Sequence, residues 1–294
     1  MRLPDMTIGT GVMRASFRPD AGGRMSRLVH RDFGEILVPM ADVSFDPYDW
    51  PKAGAYPLFP FHNRILGGLV HYEGRMLQLA PHPALAPDVM HGPAHRRPWQ
   101  VRDHDGDRLS MRLDYAADAD WPFDFRAEQD FHIRGSSLTI GLRLINMGSL
   151  TMPGGLGWHP YFLAGLRQPA TTDAALCYPL DAMNVPTGEP PVRRQPGPLP
   201  DHAGYTIHLR DWSSASLTMD SGAMVTIAAD GALRHLAVHR MPTYLCLEPV
   251  SHRAGALGSS SDASAGCALA GDGIASIAPG EYVDALIQIE VANA

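Results

Sequence analysis

Three short segments of this chain set titratable side chains against prolines: Phe59-Pro60-Phe61-His62-Asn63-Arg64, Gly157-Trp158-His159-Pro160-Tyr161-Phe162 and Cys246-Leu247-Glu248-Pro249. A further histidine, His91, precedes Gly92-Pro93. A histidine and a glutamate can donate and accept protons. Arg64 offers a rigid fork of donors suited to hydroxyls or to a carboxylate. Trp158, Tyr161 and Phe162 add flat apolar surface.

Each residue has an ordinary reading beside the chemical one. A lone histidine is more often a core residue bonded to backbone, but Pro160 restricts His159 to extended backbone. Gly154, Gly155 and Gly157 also let backbone or ligand approach closely. In Tyr244-Leu245-Cys246-Leu247-Glu248 the period-2 rule puts Tyr244, Cys246 and Glu248 on one face. A carboxylate ending an apolar strand is either half-exposed or costly to bury, and burial would raise its pKa toward that of a general base. Arg64 alone could be a surface ion pair, and Asp201, before His202-Ala203-Gly204-Tyr205, an ordinary loop aspartate. Taken together, the residues read as a sugar pocket with a general acid and a general base.

The elements that must hold them are strands. The 294 residues include 29 Gly and 26 Pro, and both oppose helix interiors. Leu138, Ile140, Leu142 and Leu144 alternate with Thr139, Gly141, Arg143 and Ile145; Val283, Ala285, Ile287, Ile289 and Val291 do the same opposite Asp284, Gln288 and Glu290. Asp105-Gly106, Asp220-Ser221-Gly222 and Asp230-Gly231 read as hairpin turns. Strands over about 100–115, 125–146 and 216–239 predict an antiparallel meander, and Gly22-Gly23-Arg24 a turn between the first two strands. The fold class is all-β, sandwich or barrel. Residues 187–204 and 251–272 read as surface loops of one domain spanning 1–294.

Composition excludes several function classes. A formal net charge of −7 argues against a nucleic-acid partner, which needs a basic patch. Three cysteines, Cys177, Cys246 and Cys267, are an odd count without paired spacing, as expected for reduced thiols. With no signal-like apolar start and no run long enough to cross a bilayer, the expectation is a cytoplasmic protein. Lys52 is the only lysine, in a loop-like Trp50-Pro51-Lys52-Ala53-Gly54, and arginine is a poor Schiff-base nucleophile; lysine-based catalysis is nearly excluded. Ile8-Gly9-Thr10-Gly11-Val12 lacks the rest of a nucleotide loop, and no nucleophile-elbow sequence occurs. His91 and His95 have the spacing of helical zinc ligands, but Gly92-Pro93 breaks the required helix, leaving His95 for a loop surface.

The order of these motifs resembles the aldose 1-epimerase (galactose mutarotase) family. The resemblance runs through Pro19-Asp20-Ala21-Gly22-Gly23-Arg24, Tyr56-Pro57-Leu58-Phe59-Pro60 to Asn63-Arg64-Ile65, His91-Gly92, Gly157 to Phe162, Pro186-Thr187-Gly188-Glu189, Leu247-Glu248-Pro249 and Pro279-Gly280-Glu281. It implies a large twisted antiparallel β-sandwich, the galactose mutarotase-like supersandwich, with no metal or organic cofactor. It implies Glu248 as the base and His159, protonated, as the acid, with Arg64, His91 and Asp201 binding a monosaccharide, in a monomer or homodimer. Glu248 would take the anomeric proton while His159 donates to the ring oxygen. After Glu248-Pro249 the family continues with Thr and an acidic or amide residue, whereas Val250-Ser251-His252-Arg253 stands here. The segment Pro93 to Arg97 is also more basic than in galactose-type members. Both departures leave the sugar open.

Three other functions remain on sequence alone. Arg96 and Arg97 could clamp the phosphate of a sugar phosphate, or be solvated loop charges. A glycosidase needs two carboxylates, and Glu248 with Asp201 is the candidate pair. A non-catalytic sugar-binding protein would keep the aromatics and Arg64 but has no need of Glu248 and His159 together.

Overall fold

Alternation of apolar and polar residues becomes alternation of buried and exposed ones along nearly every long strand. In the computed structural model, Leu138, Ile140, Leu142 and Leu144 are buried, as are Ala285, Ile287, Ile289 and Val291 on the neighbouring strand. The structure describes residues 5–41, 44–49, 51–165, 168–258 and 272–294. Among them the helical segments are short 3-10 turns, and no helix is long and apolar enough to cross a membrane.

Two antiparallel sheets form the sandwich. The nine-stranded sheet begins with the expected meander, Gln100–His104, Arg108–Tyr115, Phe125–Arg134 and Ser137–Asn146, continuing into Tyr282–Asn293 and Ala223–Gly231. The larger sheet runs through Met13–Arg18, Arg24–His30, Ala55–Leu58, Gly157–Pro160, Tyr244–Val250, His235–Arg240 and Tyr205–Arg210. One continuous core lies between the two; Phe17 meets Phe131 across it at 4.6 Å between ring centroids.

Two connections differ from expectation. Residues 216–239 are not one meander: Ser214–Thr218 and Ala223–Gly231 pair in the smaller sheet, but the chain then crosses to place His235–Arg240 in the larger one. Asp230-Gly231 therefore ends a strand before a crossover, because Leu233 and Leu236 enter the core where a tight hairpin would leave them outside. Gly22-Gly23 joins the second and third strands, not the first and second. Of the expected loops, 187–204 carries two short edge strands, Val192–Arg193 and Gly197–Pro198. Most of 251–272 lies outside the described residues, Cys267 included; Cys177 and Cys246 are free thiols.

Close backbone approach anchors the segment before the sheet's central strands. Gly92 N–H donates to Phe61 O, and a Cβ on Gly92 would stand 1.9 Å from Phe59 O. Nothing there is a flexible side-chain end, so the backbone itself would have to move. Gly92→Ala should therefore destabilise by about 3 kcal/mol, the upper end of overpacking costs. Gly106→Ala, whose methyl meets open space, should stay within about 0.5 kcal/mol. Urea midpoints compare the two, and equal midpoints would refute the close-approach argument.

Candidate active site

Five consecutive strands of the larger sheet, Ala55–Leu58, Gly157–Pro160, Tyr244–Val250, His235–Arg240 and Tyr205–Arg210, supply the floor of a cleft of about 420 Å³. Their side chains alternate between the core and this cleft. Trp158 and Phe162 go to the core and are fully buried, while His159 and Tyr161 face the cleft. The sequence expectation that Trp158, Tyr161 and Phe162 form one stacking surface thus holds only for Tyr161, since period 2 separates it from the others. Tyr244 and Glu248 line the cleft, and Cys246 lies between them in a small cluster with Tyr56 and Tyr161. Ala237 is the cross-strand partner of Glu248 and leaves space above the carboxylate.

His159 Nε2 lies 3.3 Å from Glu248 Oε1, and the two residues are 7% and 5% exposed. Burial dominates the titration of both. It raises the Glu248 carboxyl to about 8 and holds the His159 imidazole well below its ordinary value, helped by the positive fields of Lys52 and Arg24. At neutral pH the pair then carries one proton, resident on Glu248. The expected protonated His159 is not the resting state, because an imidazolium there would be a desolvated cation.

Aromatic stacking fixes the imidazole plane. Tyr56 is the cross-strand partner of His159 and stacks on it at 4.6 Å and 24°, with Tyr161 at 4.7 Å and 21°. Behind Tyr56 sits Arg24, fully buried, its guanidinium 4.4 Å from the Tyr56 ring and 5.3 Å from Phe45. Burial lowers its pKa to about 10, so it stays cationic, and the ring faces offset part of the cost.

Arg64 and His91 come from the segments at the cleft wall. Asn63 and His91 both have positive φ, 60° and 54°. His91 N–H donates to Asn63 O, and Asn63 N–H donates to His91 Nδ1 at 3.0 Å. That bond leaves the ring proton on Nε2, and burial keeps the imidazole neutral, with a pKa of about 3. Arg64 lines the cleft and is held by Asp88 at 2.7 Å.

Other expected positions differ. Asp201 is exposed on the loop before Tyr205–Arg210 and does not line the cleft; its place in the chain carries it past the strand ends. His95 is fully buried, not on a loop surface, because the 3-10 turn Pro93–Arg96 folds inward; its ring is 5.8 Å from His91. Arg96 pairs with Asp120 at 3.4 Å, Arg97 with Asp118 at 2.9 Å and Asp120 at 2.6 Å, and neither lines the cleft. Ser251, His252 and Arg253, where the chain departs from the family pattern, also lie outside it. His252 instead packs on His62 at 4.5 Å, and Arg253 forks onto Asp272.

Sequence reasoning missed Tyr56, Thr206, His208 and His239 as cleft residues, and Lys52 at its edge. The available signal was polar side chains at alternate positions of otherwise apolar strands, Thr206 and His208 in one, His239 in the next. Lys52 sits where burial lowers its pKa, though nothing in its local sequence indicated a cleft.

The sequence profile of the Aldose 1-epimerase family matches residues 5–232, most of the chain, and the protein belongs to that family. The match ends before Glu248, whose place at the site comes from the geometry. The uncharacterized protein YphB of Escherichia coli K12 is 34% identical over 110 residues, 37% of each chain; the uncharacterized YihR of the same organism is 24% identical over 110 residues, 37% of this chain and 36% of its own. The matched stretch thus spans little more than a third of these curated relatives. Among solved structures, an Escherichia coli K12 protein described as a candidate aldose 1-epimerase superimposes with a TM-score of 0.83 at 22% identity, over 99% of both chains. A galactose mutarotase-like protein of Clostridium acetobutylicum gives 0.83 at 17%, over 98% of this chain and 95% of its own. The GalM/aldose epimerase homologue of C. elegans gives 0.81 at 15%, over 99% of both. At these identities the likeness shows the fold.

Neutral buried histidines make the fold acid-labile. His62, His95, His159, His91, His252, His208 and His235 are all pushed down by burial, His91 and His252 to about 3, His208 and His235 to about 4. Unfolding returns each to about 6.5, so between the two values the unfolded chain binds more protons and stability falls as pH falls. Each histidine adds a slope of up to about 1.4 kcal/mol per pH unit. Glu248 acts oppositely, losing stability as pH rises from about 4.5 to about 8, but is outnumbered. Urea midpoints should drop steeply between about pH 6.5 and about pH 4. A flat profile across that window would show that these histidines are charged in the native state.

Proposed function

We propose that this protein is a mutarotase that interconverts the α and β anomers of a free aldose by opening and reclosing its ring. The observation that carries the reading is the His159–Glu248 pair, 3.3 Å apart on the floor of a sugar-sized cleft and holding one proton between two groups. The anomeric hydroxyl and the ring oxygen are bonded to the same carbon, so one pair can serve both. Sugar hydroxyls bonding to the carboxylate favour its ionised form, and the proton crosses to His159. Glu248 then takes the anomeric proton as His159 donates to the ring oxygen. The open aldehyde rotates about C1–C2, and reclosure onto the other face reverses both transfers. His91, with its proton on Nε2, donates to a hydroxyl; Arg64, braced by Asp88, does the same from the adjoining strand of that wall.

The rival functions find less support. A phosphate clamp at Arg96 and Arg97 is opposed by their ion pairs with Asp118 and Asp120. A glycosidase pairing of Glu248 with Asp201 is opposed by the exposure of Asp201 outside the cleft. A binding module gains nothing from burying a carboxyl whose pKa rises to about 8.

Polarimetry with fresh α-anomers of glucose, galactose, arabinose and glucose 6-phosphate tests the activity, which should persist undiminished in chelator. The rate should fall above about pH 8 as the pair loses its proton, and again in acid as it gains a second, two ionisations that belong to the pair. Glu248→Gln should lower turnover by about 10²–10⁴-fold while leaving sugar binding measurable. His159→Asn should match it, and the double variant should be little worse than either. Retention of most turnover by Glu248→Gln would make Glu248 a structural strand-end residue.

A further inference from the structure

The Tyr244–Val250 strand brings a third side chain to the pair. Cys246 stands two residues before Glu248 on the same strand face, fully buried, and does not itself line the cleft. One ligand atom each from His159, Cys246 and Glu248 lies within 4.8 Å of the others. In a tetrahedral zinc site, with bonds of about 2.0–2.3 Å, ligand atoms stand about 3.3–3.6 Å apart. The His159–Glu248 contact, at 3.3 Å, already has that spacing. Bringing the sulfur in requires at most about 1 Å of closure.

We propose that Cys246, His159 and Glu248 form a three-ligand site for a soft divalent cation, zinc above all, and that its occupancy silences the acid–base pair. Thiolate, imidazole and carboxylate together select zinc or cadmium over magnesium or calcium, which want oxygen shells. A dication with one thiolate, one carboxylate and one neutral imidazole is neutral overall, the arrangement a dry site tolerates best. Two protons leave on binding, one from Cys246 and one from the pair. His159 and Glu248 line the cleft, so the fourth coordination position opens toward it. Lys52, solvent-accessible at the cleft edge though partly desolvated, opposes the cation from a distance, whereas the two anionic ligands touch the metal. Metal capture by this trio stands on its geometry; loss of activity on capture rests on the mutarotase reading above.

Binding is measured on the whole protein without reference to activity, by zinc competition against a chromophoric chelator and by the thiolate-to-metal charge-transfer absorption of added cadmium. Wild type should take up one equivalent with a cadmium–thiolate band. Cys246→Ser should lose the band and bind zinc about 10-fold or more weakly, since even the loss of a ligand's outer partner costs that much. Cys177→Ser should change neither. Zinc should inhibit mutarotation of wild type reversibly by chelator, magnesium should not, and Cys246→Ser should keep its basal rate while resisting zinc by the same factor. Should Cys246→Ser not fold, Glu248→Gln provides the second ligand deletion, read by the competition assay alone. Unchanged zinc affinity in the folded ligand variants, or no cadmium–thiolate band in wild type, overturns the site. Binding without loss of a demonstrated mutarotase rate overturns the silencing; absence of any such rate sinks the mutarotase reading and leaves the metal site to its own measurement.

Discussion

Desolvation of the His159–Glu248 pair is the constraint on which the rest of the site depends. Each group in water would hold its ordinary charge, and together they would be an ion pair with no proton in motion. Burial disfavours both charges, raising the carboxyl to about 8 and depressing the imidazole, so the proton rests on Glu248 and the pair is neutral at neutral pH. That condition requires flanking strands that keep water from the pair. The Ala55–Leu58 and Tyr244–Val250 strands do so on either side of Gly157–Pro160.

The same economy explains the surroundings. Neutral rings can be packed close where charged ones cannot, and His91, Tyr56 and Tyr161 crowd His159 within 5.6 Å, 4.6 Å and 4.7 Å of its centroid. Arg24 is the exception, a cation buried behind Tyr56 with the ring face as its main partner. Its positive field lowers the pKa of His159 further. The expected acid sensitivity of the fold and the neutral state of the pair are two consequences of one dry, histidine-rich interior.

Much of the architecture was legible. Alternation in 138–145 and 283–291 predicted strands with the correct buried faces, because a sheet with one face on the core leaves a period-2 record. The meander through 100–146 followed from alternating runs separated by turn signals such as Asp105-Gly106. Where the chain changes sheets after Gly231, the local sequence still looks like a hairpin turn; only the demand of Leu233 and Leu236 for the core decides the crossover.

The sequence by itself determined the residue types at the site and their setting: Glu248 and His159 beside prolines, Arg64 after Asn63, His91 before Gly92-Pro93, and Tyr244, Cys246 and Glu248 on one face. Tertiary structure decided which of them meet. It brought residues 56, 159, 206, 239 and 248 onto adjacent strands, left Asp201 outside, and tied Arg96 and Arg97 to Asp118 and Asp120. It also decided protonation, turning the expected imidazolium into a neutral ring. The reason is that periodicity reports which face a side chain takes, whereas strand order and water exclusion arise only when distant segments pair.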